Sequence, residues 1–256
     1  MGQLDGRIAV ITGGGRGIGR AIALRFASEG ATVVVSSRTA TELDAVVREA
    51  TSLGSRGLAV VADAMDRHAA REPVRRALEE FGRVDVLVNN VGGTVGRHGA
   101  FDGGDESFEA TLVLSLTSAW WTTSAVLPSM RDNRYGRVIN IGSGAAKRTG
   151  GSLAYVTAKH GLVGFTRQLA QTVGEHGITV NCLCPGWTNT SLVDWEKVGR
   201  DRGLSPDEAR AAACRESAQN RILEPEELTG MATLLASDEG RGITGQVIHV
   251  DGGCKL

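Results

Sequence analysis

Tyr155 and Lys159 stand four residues apart in the run Tyr155-Val156-Thr157-Ala158-Lys159, which places a phenol and an ammonium one helical turn apart on the same face. A free phenol holds its proton too tightly at neutral pH to exchange it readily, and nearby positive charge favours the phenolate. The pair is equipped to pass a proton to or from an oxygen. Ser143, twelve residues earlier, adds a hydroxyl suited to holding that oxygen. Any Tyr-x-x-x-Lys is also consistent with a plain surface pair, so the reading depends on what else the chain carries.

A second group of residues suits a phosphate-bearing ligand. Thr12-Gly13-Gly14-Gly15-Arg16-Gly17-Ile18-Gly19 follows an apolar run and leads into a helical stretch at 20–28. Glycines at such a turn let phosphates reach the free N–H groups of the helix start, where the helix dipole also favours anions. A merely tight turn would use the same residues; its place between a first strand and a helix is what points to a nucleotide. The second strand ends Val35-Ser36-Ser37-Arg38. NAD-binding domains usually carry an acid here, accepting from the ribose hydroxyls. Ser37 takes that place, and Arg38 beside it suits a 2′-phosphate, with Arg16 adding a second positive charge. The expected cofactor is therefore NADP(H), with NAD(H) second, although each arginine alone also reads as a solvated surface residue. Asp63, followed by Ala64, is placed to accept from an adenine amino group or to cap a turn. Asn89-Asn90-Val91-Gly92 closes the fourth strand, where a ligand crosses the carboxyl ends of a parallel sheet.

Residues so far apart need a scaffold that gathers them. Apolar, β-branched runs at 8–11, 32–35, 58–61, 84–88, 138–141, 178–182 and 246–250 read as strands. They are apolar throughout rather than alternating, as strands covered on both faces should be. Amphipathic stretches lie between them, such as 39–53, which opens on a capping box of Thr39 and Glu42 and closes at Gly54. Pro73 predicts that the third helix is kinked or starts late. The alternation predicts an α/β fold: one domain over 1–256, a doubly wound, seven-stranded parallel sheet with helices on both faces. The charged stretch 190–220, carrying Trp195, breaks the rhythm and reads as a helical lid over the sheet's edge.

Composition narrows the function classes. With 256 residues, 41% hydrophobic and 22% charged, the chain has the profile of a soluble globular protein. A net charge of -1 provides no field to recruit nucleic acid or an acidic membrane surface. Cys182, Cys184, Cys214 and Cys254 match no zinc or redox spacing, so no metal is implied and reduced thiols in a cytoplasmic protein are expected. No segment reads as a signal peptide or as approaching a membrane span. Glycine is the outlier at 35 residues, concentrated at sharp turns.

Taken together, the glycine loop, Asn89–Gly92 in order, Ser143, Tyr155, Lys159, Pro185-Gly186 and the C-terminal Ile243-Thr244-Gly245-Gln246 with Asp251-Gly252-Gly253 make the chain similar to the short-chain dehydrogenase/reductase family along nearly all its length. That resemblance implies a Rossmann-type domain in which Tyr155 is the general acid/base and Ser143 orients the carbonyl. Lys159 would bind the nicotinamide ribose and favour the phenolate. Thr188 and Thr190, after Pro185-Gly186, would contact the carboxamide. It also implies a homotetramer or homodimer built through two long helices and the last strand. Two places depart from the family. Ser115 stands where an Asn usually supports a water that relays protons from the lysine, and Val91 stands where Ala is usual. The run Asn89–Thr94 resembles benzoate cis-diol dehydrogenases, 154–161 and Trp187 resemble 3-hydroxybutyrate dehydrogenases, and the overall pattern resembles 3-oxoacyl-carrier-protein reductases.

The function expected is interconversion of a ketone, a 3-oxoacyl thioester being one candidate, and a secondary alcohol with NADP(H). The alternative is NAD-linked oxidation of an alcohol or cis-diol; a different class is a cofactor-sensing protein with little chemistry. Thr94, Arg97 and His98 beyond the fourth strand, Lys147 and Arg148 after Ser143, and Trp187 and Trp195 near the lid are candidate pocket residues. Each also has an ordinary role in a loop or in packing. Arg97, Lys147 and Arg148 together would welcome a carboxylate or phosphate. His160 points about 100° away from Lys159 and is expected to be structural.

Overall fold

In a computed structural model, which describes residues 2–96, 101, 104–149 and 151–254, the strands form a single sheet. They are β1 (Ile8–Thr12), β2 (Thr32–Ser37), β3 (Gly57–Val61), β4 (Val86–Asn89), β5 (Gly136–Ile141), β6 (Ile178–Pro185) and β7 (Val247–Val250). Their spatial order is β3-β2-β1-β4-β5-β6-β7 and every pairing is parallel. The chain winds outward one way from β1 and the other way from β4, and this switch opens a crevice at the carboxyl ends of the two strands. All seven strands fall where the apolar runs place them. Most extend further, and β6 continues to Pro185, which occupies its last position.

Nine α-helices cover the sheet: α1 (Gly17–Ser28), α2 (Ala40–Ser52), α3 (Arg67–Phe81), α4 (Asp105–Leu112), α5 (Ser118–Asp132), α6 (Leu153–Val173), α7 (Trp195–Arg202), α8 (Pro206–Arg215) and α9 (Thr229–Ala236) among the described residues. Two cores result, because alternate residues of each strand serve opposite faces. Ala9, Ile11 and Val33 pack with Ile22, Phe26, Leu43 and Leu235 on one side. Val10 and Val34 pack with Val74, Val126 and Leu169 on the other. Each fully buried Ile, Leu or Phe here contributes about 1.5–3 kcal/mol.

Local expectations divide. The α3 helix begins at Arg67, where the Asp66 side chain accepts from His68 N and Ala69 N, and it runs through Pro73 rather than starting late. The capping box expected at Thr39 does not form: the Thr39 side chain makes no cap, and Glu42 turns instead toward Arg16, 3.9 Å away. By length and composition one helix departs from the expectation that no segment approaches a membrane span. The helix from Asp105 to Asp132 is 28 residues long with a mean hydropathy of 1.2 in its most apolar window, long and apolar enough by those measures to cross a membrane. Here α5 packs against α3, β4 and β5, and α4 against α6. Residues 190–220 carry α7 and α8, so the stretch is helical as expected.

Beneath the crevice a buried polar network ties four elements together. Asn89 Nδ2 donates to Thr123 Oγ1 and to Asn140 Oδ1, Thr122 Oγ1 donates to Asn89 Oδ1, and Asn140 Nδ2 donates to Thr166 Oγ1. Each buried amide there has partners, so β4, β5, α5 and α6 hold one register.

Candidate active site

The glycine loop is shaped by close approach. Gly13 has φ +64, and a Cβ on it would come within 2.8 Å of Asn90 Nδ2 and 3.2 Å of Val91 Cγ2. Gly17 also has positive φ, and a Cβ there would meet Thr190 Cγ2 at 3.2 Å. Gly15 faces Ser37 and Glu42, each 3.1 Å from a Cβ position, and Gly19 lies against the Gly13 backbone. Asn90 Nδ2 donates to Thr12 O and Gly13 O at 3.0 and 3.1 Å, so its amide group supports the loop. Helix α1 starts at Gly17 with no acid in its first turn, leaving its N–H groups to an anion. Ile18 packs on the core behind it. This backbone cradle fits the pyrophosphate of a dinucleotide.

Beyond the cradle, a narrow cavity between the ends of β1, β2 and β4 is lined by Thr12, Ser37, Ala62, Ala64 and Val91. Asp63 beside it accepts from Met65 N at 2.9 Å, the turn-capping alternative, while its second carboxylate oxygen has no hydrogen bond among the described residues. Arg38 is exposed and makes no ion pair with a described residue. Arg16 is exposed too, near Glu42. Sequence reasoning assigned Glu42 to a helix cap and so missed that an acid reaches this place from α2.

At the other half of the crevice Lys159 is 2% exposed, and its Nζ donates to Ile141 O at 2.7 Å. The same nitrogen lies 5.6 Å from the centre of the Tyr155 ring, and Ser152 caps α6 by accepting from Tyr155 N. Ser143 follows the end of β5 and its Oγ accepts from Ala145 N at 3.1 Å. Ser115 sits in a π-helical turn (Val113–Thr117) between α4 and α5, is 2% exposed, and exchanges two hydrogen bonds with the Gly93 backbone. Gly92 lies between these groups: a Cβ on it would be 3.0 Å from Lys159 Nζ and 3.6 Å from Ser115 Oγ. His160 is exposed, its Nδ1 bonded to Val156 O, which makes it structural as expected.

The remaining candidates separate. Arg97 and His98 lie outside the described residues, and Thr94 is exposed. Lys147 Nζ donates to Asp251 Oδ2 at 2.9 Å. Pro185 ends β6, and Gly186 lies so close to the Asp251 backbone that a Cβ would be 2.8 Å from its oxygen. Thr188 is buried and donates to Gly186 O. Thr190 faces Gly17, which joins the two halves of the crevice. Glu216 was not singled out from sequence, yet it accepts from Trp187 Nε1 at 2.9 Å and from Arg202 Nη1 at 3.2 Å. Trp187 stacks at 5.5 Å on Trp195. One carboxylate thus ties Arg202 at the end of α7 to Trp187 just beyond β6.

A phosphate turn after β1, a serine after β5 and a Tyr–Lys pair on the next helix follow the chain order of oxidoreductases that bind nicotinamide dinucleotides on a doubly wound sheet. Comparison narrows this class. A family model described as enoyl-(acyl carrier protein) reductase matches residues 13–255, and the chain belongs to the short-chain dehydrogenase/reductase family. It is 39% identical to the short-chain reductase protein NovJ of Streptomyces niveus, over 96% of this chain and 93% of that one. It is 36% identical to the 3-oxoacyl-[acyl-carrier-protein] reductase FabG of Escherichia coli strain K12, over 99% of both chains. Among solved structures, a variant of actinorhodin polyketide ketoreductase with NADPH superposes with a TM-score of 0.93 at 30% identity, covering 100% of this chain and 99% of that one.

Proposed function

We propose that the protein is a cytoplasmic ketoreductase that uses NADP(H) to convert a ketone, 3-oxoacyl thioesters included, into a secondary alcohol. The observation that carries this reading is the buried Lys159 ammonium, held by Ile141 O beside the Tyr155 ring. The charge lies beside a phenol that carries a transferable proton. Tyr155 gives that proton to the carbonyl oxygen, and Ser143 holds the oxygen in reach. When bound, the reduced nicotinamide supplies the hydride. Pro185, Gly186, Thr188 and Thr190 would bound the nicotinamide end, and the glycine loop with Asn90, Val91 and Gly92 the rest. Arg38 and Arg16 would take the 2′-phosphate, a reading supported by likeness to FabG and to the ketoreductase solved with NADPH. Half-exposed Trp120, stacked edge-on against Phe165 of α6, supports a homodimer or homotetramer through α5 and α6.

Glu42 favours a second reading, NAD-linked oxidation of an alcohol or cis-diol, because its carboxylate beside Gly15 suits ribose hydroxyls and repels a phosphate. A panel of ketones, 3-oxoacyl thioesters, quinones and diols with both cofactors decides between them. Ketone reduction favouring NADPH is the expected result. Diol oxidation favouring NAD would establish the second reading. Tight cofactor binding without turnover on any substrate would place the protein among cofactor sensors.

A further inference from the structure

The loop that leaves β5 at Ser143 carries two adjacent cations with different surroundings. Lys147 is paired with Asp251. Arg148 lies instead over Gly144, the residue after Ser143: Nη2 is 3.2 Å and Nε 3.5 Å from the position of a Cβ there. Its side chain is 22% exposed, and Nη1 is buried with no hydrogen-bond partner among the described residues. The carboxylate facing it, Glu216, approaches Nη2 only to 3.7 Å, beyond hydrogen-bond range. Glu216 Oε2 takes its hydrogen bond from Trp187 instead.

We propose that Arg148 anchors an anionic group of the substrate, and that the substrate is a ketone carrying a carboxylate a few bonds from its carbonyl. This rests on the ketoreductase reading of the site. A buried guanidinium N–H without an acceptor is costly, and an acceptor brought by a ligand removes that cost. The guanidinium fork matches a planar carboxylate. Its place over Gly144 puts the anion at the residue next to Ser143, the serine that would hold the reacting oxygen, so one small molecule would reach both. Glu216 and Asp251 nearby disfavour a doubly charged phosphate. Glycine at 144 belongs to the site, since even a Cβ there would crowd the guanidinium at 3.2 Å.

The test compares 3-oxobutanoate with its methyl ester, using both NADPH and NADH, and titrates 3-hydroxybutanoate by calorimetry in saturating NADP⁺ or NAD⁺. Arg148→Met is expected to lower kcat/KM for the carboxylate about 10- to 100-fold, mainly through KM, as loss of a charge-assisted contact does. The ester should change by less than about twofold, and Arg148→Lys should retain part of the activity on the acid. Equal losses on both probes, or none on either, overturn the proposal. If the unsubstituted protein reduces neither ketone, the ketoreductase reading fails, and calorimetry still decides the anchor. Loss of 3-hydroxybutanoate binding in Arg148→Met supports it; unchanged binding, or no binding to the unsubstituted protein, overturns it.

Discussion

The Ser115 hydroxyl and the Gly93 backbone hold each other in both directions: Oγ accepts from Gly93 N at 3.0 Å and donates to Gly93 O at 2.7 Å. The adjoining Gly92 backs onto the buried ammonium of Lys159, so this clasp sets the strand end against it. Ser115→Ala would leave a buried N–H and C=O without partners. A loss of about 1–3 kcal/mol in stability is expected, with a lower kcat; chemical denaturation and steady-state kinetics on one ketone measure both.

Ser115→Asn asks the converse. The amide also donates and accepts, with longer reach. If serine sustains a looser proton relay, Asn leaves kcat unchanged or raises it several-fold, about 1 kcal/mol of alignment. The solvent deuterium isotope effect and thermal stability of both forms are the readouts. A collapse of activity with stability intact would show that serine itself is required.

Tyr155→Phe removes the transferable proton while keeping the ring beside Lys159. It should lower kcat by about 10²–10⁴ and leave cofactor affinity nearly unchanged. Lys159→Ala should damage both, and fluorescence titration of NADPH alongside turnover separates the two effects. Near-normal turnover by Tyr155→Phe would require another acid.

Cofactor preference turns on three side chains at the mouth of the glycine loop. Arg38→Ala should cost about 1.5–3 kcal/mol against NADPH, or ten- to hundredfold in kcat/KM, with little change for NADH. Glu42→Gln should move the ratio toward NADPH by freeing Arg16. Kinetics with both cofactors check this, and a preference for NADH in the unsubstituted protein would contradict the assignment to NADP(H).

Stability should also respond to pH through His249 on β7. Burial holds its imidazole below the ordinary range; Lys147 opposes protonation, Asp251 favours it and Arg148 opposes it. As pH falls through about 6.5, the unfolded chain takes up a proton that the folded chain resists. Stability is therefore full above that value and declines below it. His249→Asn should flatten the decline, measured as urea midpoints at pH 7.5 and 5.5.

Much of this was legible in the sequence because the strands are covered on both faces and the turns demand glycine. Runs such as Val33-Val34-Val35 leave little other reading, and Gly13 and Gly17 do adopt positive φ. What could not be read depends on where long side chains turn. Thr39 and Glu42 have capping-box spacing, yet Arg16, 26 residues away, attracts the carboxylate. Lys147 and Arg148 are neighbours of one charge, and only the fold shows that one is neutralised by Asp251. Glu216 looked like one charge among many, since Trp187 and Arg202 are distant in sequence. The π-helical turn at Ser115 has no local signature, so its grip on Gly93 was not foreseen.

Thr188 pairs with Leu223 in an isolated bridge, where Asn189 N donates to Leu223 O at 2.8 Å and Leu223 N to Trp187 O at 2.9 Å. Residues 189–222 therefore leave and rejoin the body side by side, like a cassette with its two ends clipped together, and a second fastening inside the segment pairs Ser217 with Cys254. Closing such a segment depends weakly on its length, about 0.6 kcal/mol for each doubling. A transplanted segment of another size, joined at 188 and 223, would meet the same junction. Ser143 on the β5 loop and Tyr155 and Lys159 on α6 would stay in place beneath it. Grafting 189–222 from a relative and assaying a ketone panel would then measure how much of substrate choice lies in that segment and how much in residues outside it, such as Arg148.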